Sequence, residues 1–143
     1  MQIPKEVRTV ANILKKSKNV KGIGLYGSLA VGFADKYTND FDVVVFCSRI
    51  PSIKWREKAL KPVVKKIHTA YSVAKILDIF DIGNLEAGVW YKKVSEIKNY
   101  IRVFKKKWHC SDDLIVFIYY SKPLYDPDKL IQNWKKAIKK YPD

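Results

Sequence analysis

The stretch Gly27-Ser28-Leu29-Ala30-Val31-Gly32, followed by Asn39-Asp40-Phe41-Asp42 and the apolar run Val43-Val44-Val45-Phe46, decides how this chain is read. Small residues turn the chain at Gly27-Ser28 into a short helix ending near Phe33. Residues 34–39 are polar and loop-like. Asp40 and Asp42 then stand two positions apart at the head of a strand. Residues i and i+2 of a strand point to the same side, so both carboxylates aim at one spot. Their summed charge suits a divalent cation. The Gly-Ser turn at a helix start offers backbone N–H groups to a phosphate.

The bulk composition fits one ordinary domain. The chain has 143 residues, of which 48% are hydrophobic. That length favours a single domain over residues 1–143 with a real core. No basic start leads into an apolar leader. The longest uncharged apolar run, residues 114–120, is too short to span a bilayer. The expectation is a cytoplasmic protein with no membrane role. Cys47 and Cys110 lack metal-type spacing, and His68 and His109 are far apart in sequence. The cysteines read as ordinary thiols in a reducing compartment.

The charge is unusual. Lys+Arg is 28 and Asp+Glu is 14, a net charge of +14, and nearly all the excess is lysine. Pairs and triplets recur at Lys15-Lys16, Lys65-Lys66, Lys105-Lys106-Lys107, Lys135-Lys136 and Lys139-Lys140. Such a surface attracts polyanions, RNA among them.

Helix and strand signals alternate along the chain. Pro4 suits a first helical turn, and Val7, Val10, Ala11 and Leu14 follow at helical spacing to about Lys16. Residues 19–26 read as a strand. Residues 41–47 read as a strand covered on both faces, because the run is almost wholly apolar. Leu60, Val63, Val64 and Ile67 predict a helix, with Pro62 limiting where it begins. Residues 74–82 and 87–91 read as strands around a Gly83-Asn84 turn. Ser95 predicts a cap for a helix carrying Ile97, Tyr100, Ile101, Phe104 and Trp108. Residues 113–120 fit helix or strand equally. Asp126-Pro127 predicts a capped start for a helix bearing Leu130, Ile131, Trp134, Ile138 and Tyr141. Residues 20–82 thus form the core motif region and 94–141 a C-terminal helical segment. The pattern argues for an α/β (α+β) domain, a small mixed sheet packed against helices.

Gly22-Ile23-Gly24-Leu25-Tyr26-Gly27 matches G-x-G-x-x-G, and Asp42 lies 20 positions after Gly22. The context excludes a dinucleotide fingerprint. A buried strand must precede the first glycine, yet residues 14–21 are lysine-rich. The fingerprint acid ends the second strand, whereas Asp42 opens it.

A better frame begins at Gly27. Gly27-Ser28, Gly32 and Asn39-Asp40-Phe41-Asp42 resemble the small nucleotidyltransferases of the DNA polymerase beta-like superfamily. The likeness covers residues 20–47, with Asn39 where the family usually has serine or threonine. Asparagine still hydrogen-bonds its own turn. The resemblance implies a polymerase beta-like fold and a third carboxylate on a later strand. Asp78, flanked by apolar strand residues in Lys75-Ile76-Leu77-Asp78-Ile79-Phe80, is the first choice; Asp81 and Glu86 are rivals. The segment Pro123-Leu124-Tyr125-Asp126-Pro127 is a weaker match to the family's final segment.

The resemblance implies roles as well. Asp40, Asp42 and Asp78 would hold Mg²⁺ or Mn²⁺, a choice that all-oxygen ligands favour over zinc. Gly27, Ser28, Gly32, Lys36 and Asn39 would line the site of a nucleoside triphosphate such as ATP. Tyr26, Tyr37, Tyr91, Tyr119, Tyr120 and Trp90 are candidates for base stacking, although most aromatics serve cores. The implied reaction moves a nucleoside monophosphate to a hydroxyl of RNA, protein or a small molecule, releasing pyrophosphate with two-ion assistance. The alternative is a binding module with little or no catalysis. It would resemble a toxin–antitoxin system's antitoxin, paired with a HEPN-type ribonuclease, or a basic RNA-binding protein.

Overall fold

Alternation along one central strand divides the molecule into two layers. The computed structural model describes residues 3–27, 39–72, 75–107 and 118–139. Its central strand, β2, spans Asp40–Cys47. Phe41, Val43, Val45 and Cys47 enter one hydrophobic cluster, and Val44 and Phe46 enter another. A strand buried on both faces needs an apolar residue at every position, which is what this run supplies.

β2 pairs antiparallel with β1 (Val20–Tyr26) on one side and parallel with β5 (Leu85–Lys93) on the other. β4 (Lys75–Ile82) and β3 (His68–Ser72) continue beyond β5, both antiparallel, and β6 (Lys122–Tyr125) lies outside β1. The order is β3-β4-β5-β2-β1-β6, a mixed sheet. The fold class read from the sequence is the one observed.

Helices α1 (Lys5–Leu14) and α2 (Ile53–Leu60) belong to one layer. Val7, Val10, Ala11 and Leu14 of α1 are buried against Ile23, Leu25 and Val43 in that cluster. Helices α3 (Val94–Lys107) and α4 (Leu130–Lys139) belong to the other, where Ile97, Ile101, Ile131, Trp134 and Ile138 meet Val44 and Phe46. Trp134 sets its ring edge-on to Phe46, with centroids 5.0 Å apart. Among the described residues no helix is long and apolar enough to cross a membrane.

Four local expectations need correction. The helix expected around Leu60, Val63, Val64 and Ile67 instead lies at Ile53–Leu60. Ser52 caps it by accepting a hydrogen bond from the Trp55 amide at 3.2 Å. The helix ends before Pro62, whose ring and missing N–H oppose continuation. Residues 68–72 form a strand that the sequence reading missed, and β6 interrupts the segment 94–141. Asp126 does cap α4, accepting from the Ile131 and Gln132 amides at 3.1 Å each, but the helix starts later than expected. The short helix expected after Ser28, along with Trp108 and Tyr141, lies outside the described residues.

The rejected G-x-G-x-x-G has a packing explanation. Gly24 faces the α4 layer, where an added Cβ would stand 3.1 Å from Cβ of the buried Ser121. The glycine leaves room for the Ser121 side chain against the strand.

Cys47 is fully buried at the end of β2, and burial pushes its thiol pKa up to about 12 despite the nearby positive charge of Arg56. The reactive thiolate is therefore suppressed. In a Cys110→Ser variant, a thiol reagent at mildly alkaline pH should leave Cys47 unmodified until denaturant is added. Rapid labelling of the folded protein would contradict its placement.

Candidate active site

The register sets out the site row by row on the α3/α4 face of the sheet. One row runs Gly24, Val44, Trp90 and Leu77 across β1, β2, β5 and β4. The next runs Tyr26, Asp42, Gly88 and Ile79. The last brings Asp40, Glu86 and Asp81 abreast. Residues in such rows share a face of the sheet. Asp40 and Asp42 therefore do project to one side, as their spacing predicts.

Asp42 is half-buried among neighbours that leave it room. A Cβ at Gly88 would lie 2.5 Å from Asp42 Oδ1, a distance no real side chain allows. Glycine at that position is what admits the carboxylate. Trp90 Nε1 donates to Asp42 Oδ1 at 3.4 Å. On the other side, Gly27 follows β1 with φ +87°, a left-handed conformation that glycine adopts without strain. A Cβ there would stand 3.6 Å from Asp42 Oδ2. The Gly27 turn and the Asp42 carboxylate are thus neighbours. The Asn39 carbonyl accepts from the Glu86 amide at 2.9 Å, tying the entry of β2 to β5.

The electrostatics follow from this crowding. Partial burial is the largest influence on Asp42 and raises its pKa above the ordinary 3.8; the Trp90 hydrogen bond opposes that, and the charges of Asp40 and Glu86 add to it. A carboxylate repelled by two others is one that a cation would stabilise. Asp40 and Glu86 are exposed, so this end of the sheet is open to solvent. The oxygen-only donors fit a hard divalent ion, although no three acidic, His or Cys side chains among the described residues stand close enough to form a ready-made cage. Ser28, Gly32 and Lys36 lie outside the described residues.

Asp78 is a correction. It pairs in register with Val89, which places it on the opposite, α1/α2 face of the sheet. There it is fully buried, and Arg56 Nε donates to its Oδ2 at 2.7 Å. Arg56 Nη2 reaches Oδ1 at 3.2 Å, and Thr69 Oγ1 donates to the same oxygen at 2.7 Å. Arg56 Nη1 donates to the Pro51 carbonyl at 2.7 Å, and its guanidinium carbon lies 5.0 Å from the Tyr91 ring centroid. A buried carboxylate needs a partner, and this one has an arginine rather than a metal. Tyr91, a stacking candidate in the sequence, is buried beneath the pair, and burial followed by the Asp78 charge keeps its hydroxyl protonated.

The rivals Asp81 and Glu86 stand on the acidic face. Glu86 is one strand from Asp40, a separation of about 4.8 Å between backbones, and Asp81 is two strands away. Sequence reasoning also missed Trp90 as the donor to Asp42. The odd-number spacing of Asp78 from Asp81 carried the signal that they face opposite ways, but not which faced Asp42.

The comparisons with known proteins bear on this geometry. The family model for a nucleotidyltransferase domain matches residues 7–140. Among solved structures, a nucleotidyltransferase-like protein from Exiguobacterium sibiricum is similar with a TM-score of 0.53 at 8% identity. The likeness covers 97% of this chain and 39% of that one, so the chain spans well under half of its length. The Cid1 poly(U) polymerase is similar with a TM-score of 0.49 at 15% identity, over 81% of this chain and 40% of that one. No curated protein matches the sequence.

Two outcomes follow. Asp78→Ala should cost about 3–5 kcal/mol in urea denaturation, because it leaves Arg56 charged and buried. The Arg56→Met/Asp78→Leu double variant should cost much less. Asp42→Asn should instead raise stability at neutral pH. The folded-state pKa of Asp42 is raised, so its ionised form penalises folding above that value. The advantage of the asparagine should shrink as pH falls toward 3.8 and vanish below it. Melting curves against pH check this, and a destabilised Asp42→Asn at neutral pH would contradict it.

Proposed function

Because the chain belongs to the nucleotidyltransferase domain family, we propose that it moves a nucleoside monophosphate from a nucleoside triphosphate to an acceptor hydroxyl. The observation that carries this reading is the shared face of Asp40 and Asp42, with the Gly27 turn against Asp42. The whole of residues 1–143 would serve as one such domain. Asp40 and Asp42 would hold Mg²⁺ or Mn²⁺, with Glu86 in the place first given to Asp78. When bound, such ions neutralise charge on the triphosphate and lower the pKa of the acceptor hydroxyl.

The chain's own groups have separate tasks in this scheme. Gly27 lies against Asp42; Ser28, Gly32 and Lys36 would supply the cradle for the β- and γ-phosphates that the family resemblance implies. Asn39 fixes the approach of β2 to β5. Glu86, exposed beside Asp40, would take the acceptor's proton. The acceptor oxygen bonds to the α-phosphorus, the bond from that phosphorus to the bridging oxygen breaks, and pyrophosphate leaves in line.

A second reading has one observation in its favour. Asp78, the acid that the family resemblance offers first as the third ligand, is committed to Arg56. A domain of this family that serves by contact would tolerate that arrangement. It would act as an antitoxin-like partner of a HEPN-type ribonuclease.

Pyrophosphate release from each of the four nucleoside triphosphates, with Mg²⁺ or Mn²⁺ and candidate RNA acceptors, separates the two. The enzymatic reading expects release that Asp40→Asn and Asp42→Asn each reduce by about a hundredfold or more, as loss of several kcal/mol of charge stabilisation requires. Asp78→Asn at a temperature where it remains folded should retain most of it. No release under any condition, with co-purification of a protein partner unaffected by Asp42→Asn, would establish the second reading.

A further inference from the structure

The acidic face opens at the end of the sheet where β2 begins. At the other end, where β2 stops and α2 begins, the charge reverses. Two clefts flank α2 there. One, of about 560 Å³, is walled by Lys16 and Lys18 from the turn after α1, by Arg49, and by Trp55 of the helix. The other, of about 800 Å³, carries Lys54 and Lys58 from α2, Lys61 at its C-terminal cap, then Lys65 and Lys66.

These eight cations are all exposed, and among the described residues Glu57 is the single acid lining either cleft. Among the described residues none of the eight is in an ion pair. Arg56, the remaining cation of α2, is turned inward onto Asp78 and so anchors the helix that displays the others. Lys54, Lys58 and Lys61 recur at spacings of four and three, which puts them along one face of a helix. The turns that build the first cleft are pinned together, since the Ser48 amide donates to the Asn19 carbonyl at 2.9 Å.

We propose that α2 and its two flanking clefts form a binding band for a single-stranded nucleic acid, RNA being the occupant. Charge complementarity is the first argument: unpaired lysines in a track suit a phosphate backbone. Concavity is the second: a strand of nucleotides enters clefts that a flat anionic bilayer does not. The indole of Trp55, half-buried in the wall of the first cleft among three cations, is the third. An aromatic face beside cations is what an unstacked base requires. The band lies about 23 Å from Asp40 along β2, seven strand steps of about 3.3 Å, so it is separate from the acidic site. Binding there does not depend on catalysis.

Fluorescence anisotropy with a labelled single-stranded RNA dodecamer, repeated over a range of salt, tests this on the full chain. The wild type should bind with a salt slope of about −0.7 for each phosphate contacted. A Lys54→Glu/Lys58→Glu/Lys61→Glu variant should bind at least about tenfold more weakly, and its slope should fall by about 2. A control of equal net charge, Lys5→Glu/Lys98→Glu/Lys136→Glu, alters exposed residues of α1, α3 and α4 and should stay within about threefold of wild type. Replacing the α2 lysines with glutamine gives a milder variant, expected to fall between wild type and the charge reversal. Equal losses in both triple variants would overturn the proposal, as would no binding by the wild type. Tighter binding to phosphatidylserine vesicles than to RNA would overturn it in favour of a membrane surface.

Discussion

The parallel pairing of β2 with β5 is the constraint on which the site depends. It sets Asp42 beside Gly88 and Asp40 beside Glu86. A shift of the register by one residue would bring a side chain against Asp42 and turn β5's acid to the far side. The same pairing sends Phe41, Val43 and Val45 into one layer and Val44 and Phe46 into the other. The hydrophobic cost of slipping that strand is therefore what holds two like-charged carboxylates together. Burial of the apolar partners outweighs the solvent-screened repulsion between these acids.

The layer opposite the site does structural work with its own charges. Arg56 and Asp78 tie α2 to β4 through the α1/α2 core, and Thr69 draws β3 into the same contact. A buried pair of this kind adds little net stability against an apolar alternative, but it is expensive to break. Its physical effect is to fix where α2 sits. The exposed face of that helix, with its lysines, is consequently held in one orientation relative to the sheet.

Much of the arrangement was legible in the sequence because it rests on local period. The alternation in residues 40–47, the helical spacing of Val7, Val10 and Leu14, and the spacing of Ile131, Trp134 and Ile138 each announce an element and its buried face. Asp126 announced a cap and supplies one, since a carboxylate's choice of nearby amides is a short-range matter. The choice between Asp78 and its rivals was not legible, because it depends on which face of β4 meets which helix. A lone acid among apolar neighbours reads the same whether an arginine or a cation awaits it. The arginine was 22 positions away in a helix that the periodicity misplaced. Trp90 and Gly88 were illegible for a related reason: their meaning exists only once β5 lies beside β2.

The proposed reaction requires Asp40 and Asp42 to converge on a cation-bound triphosphate at the mouth of the sheet. Anomalous diffraction from crystals grown with Mn²⁺ and a non-hydrolysable nucleoside triphosphate addresses it most directly. The account predicts a manganese peak on the α3/α4 face, between the Asp40 and Asp42 carboxylates and the Gly27 turn. A peak beside Asp78 and Arg56, or triphosphate bound away from Gly27, would contradict it.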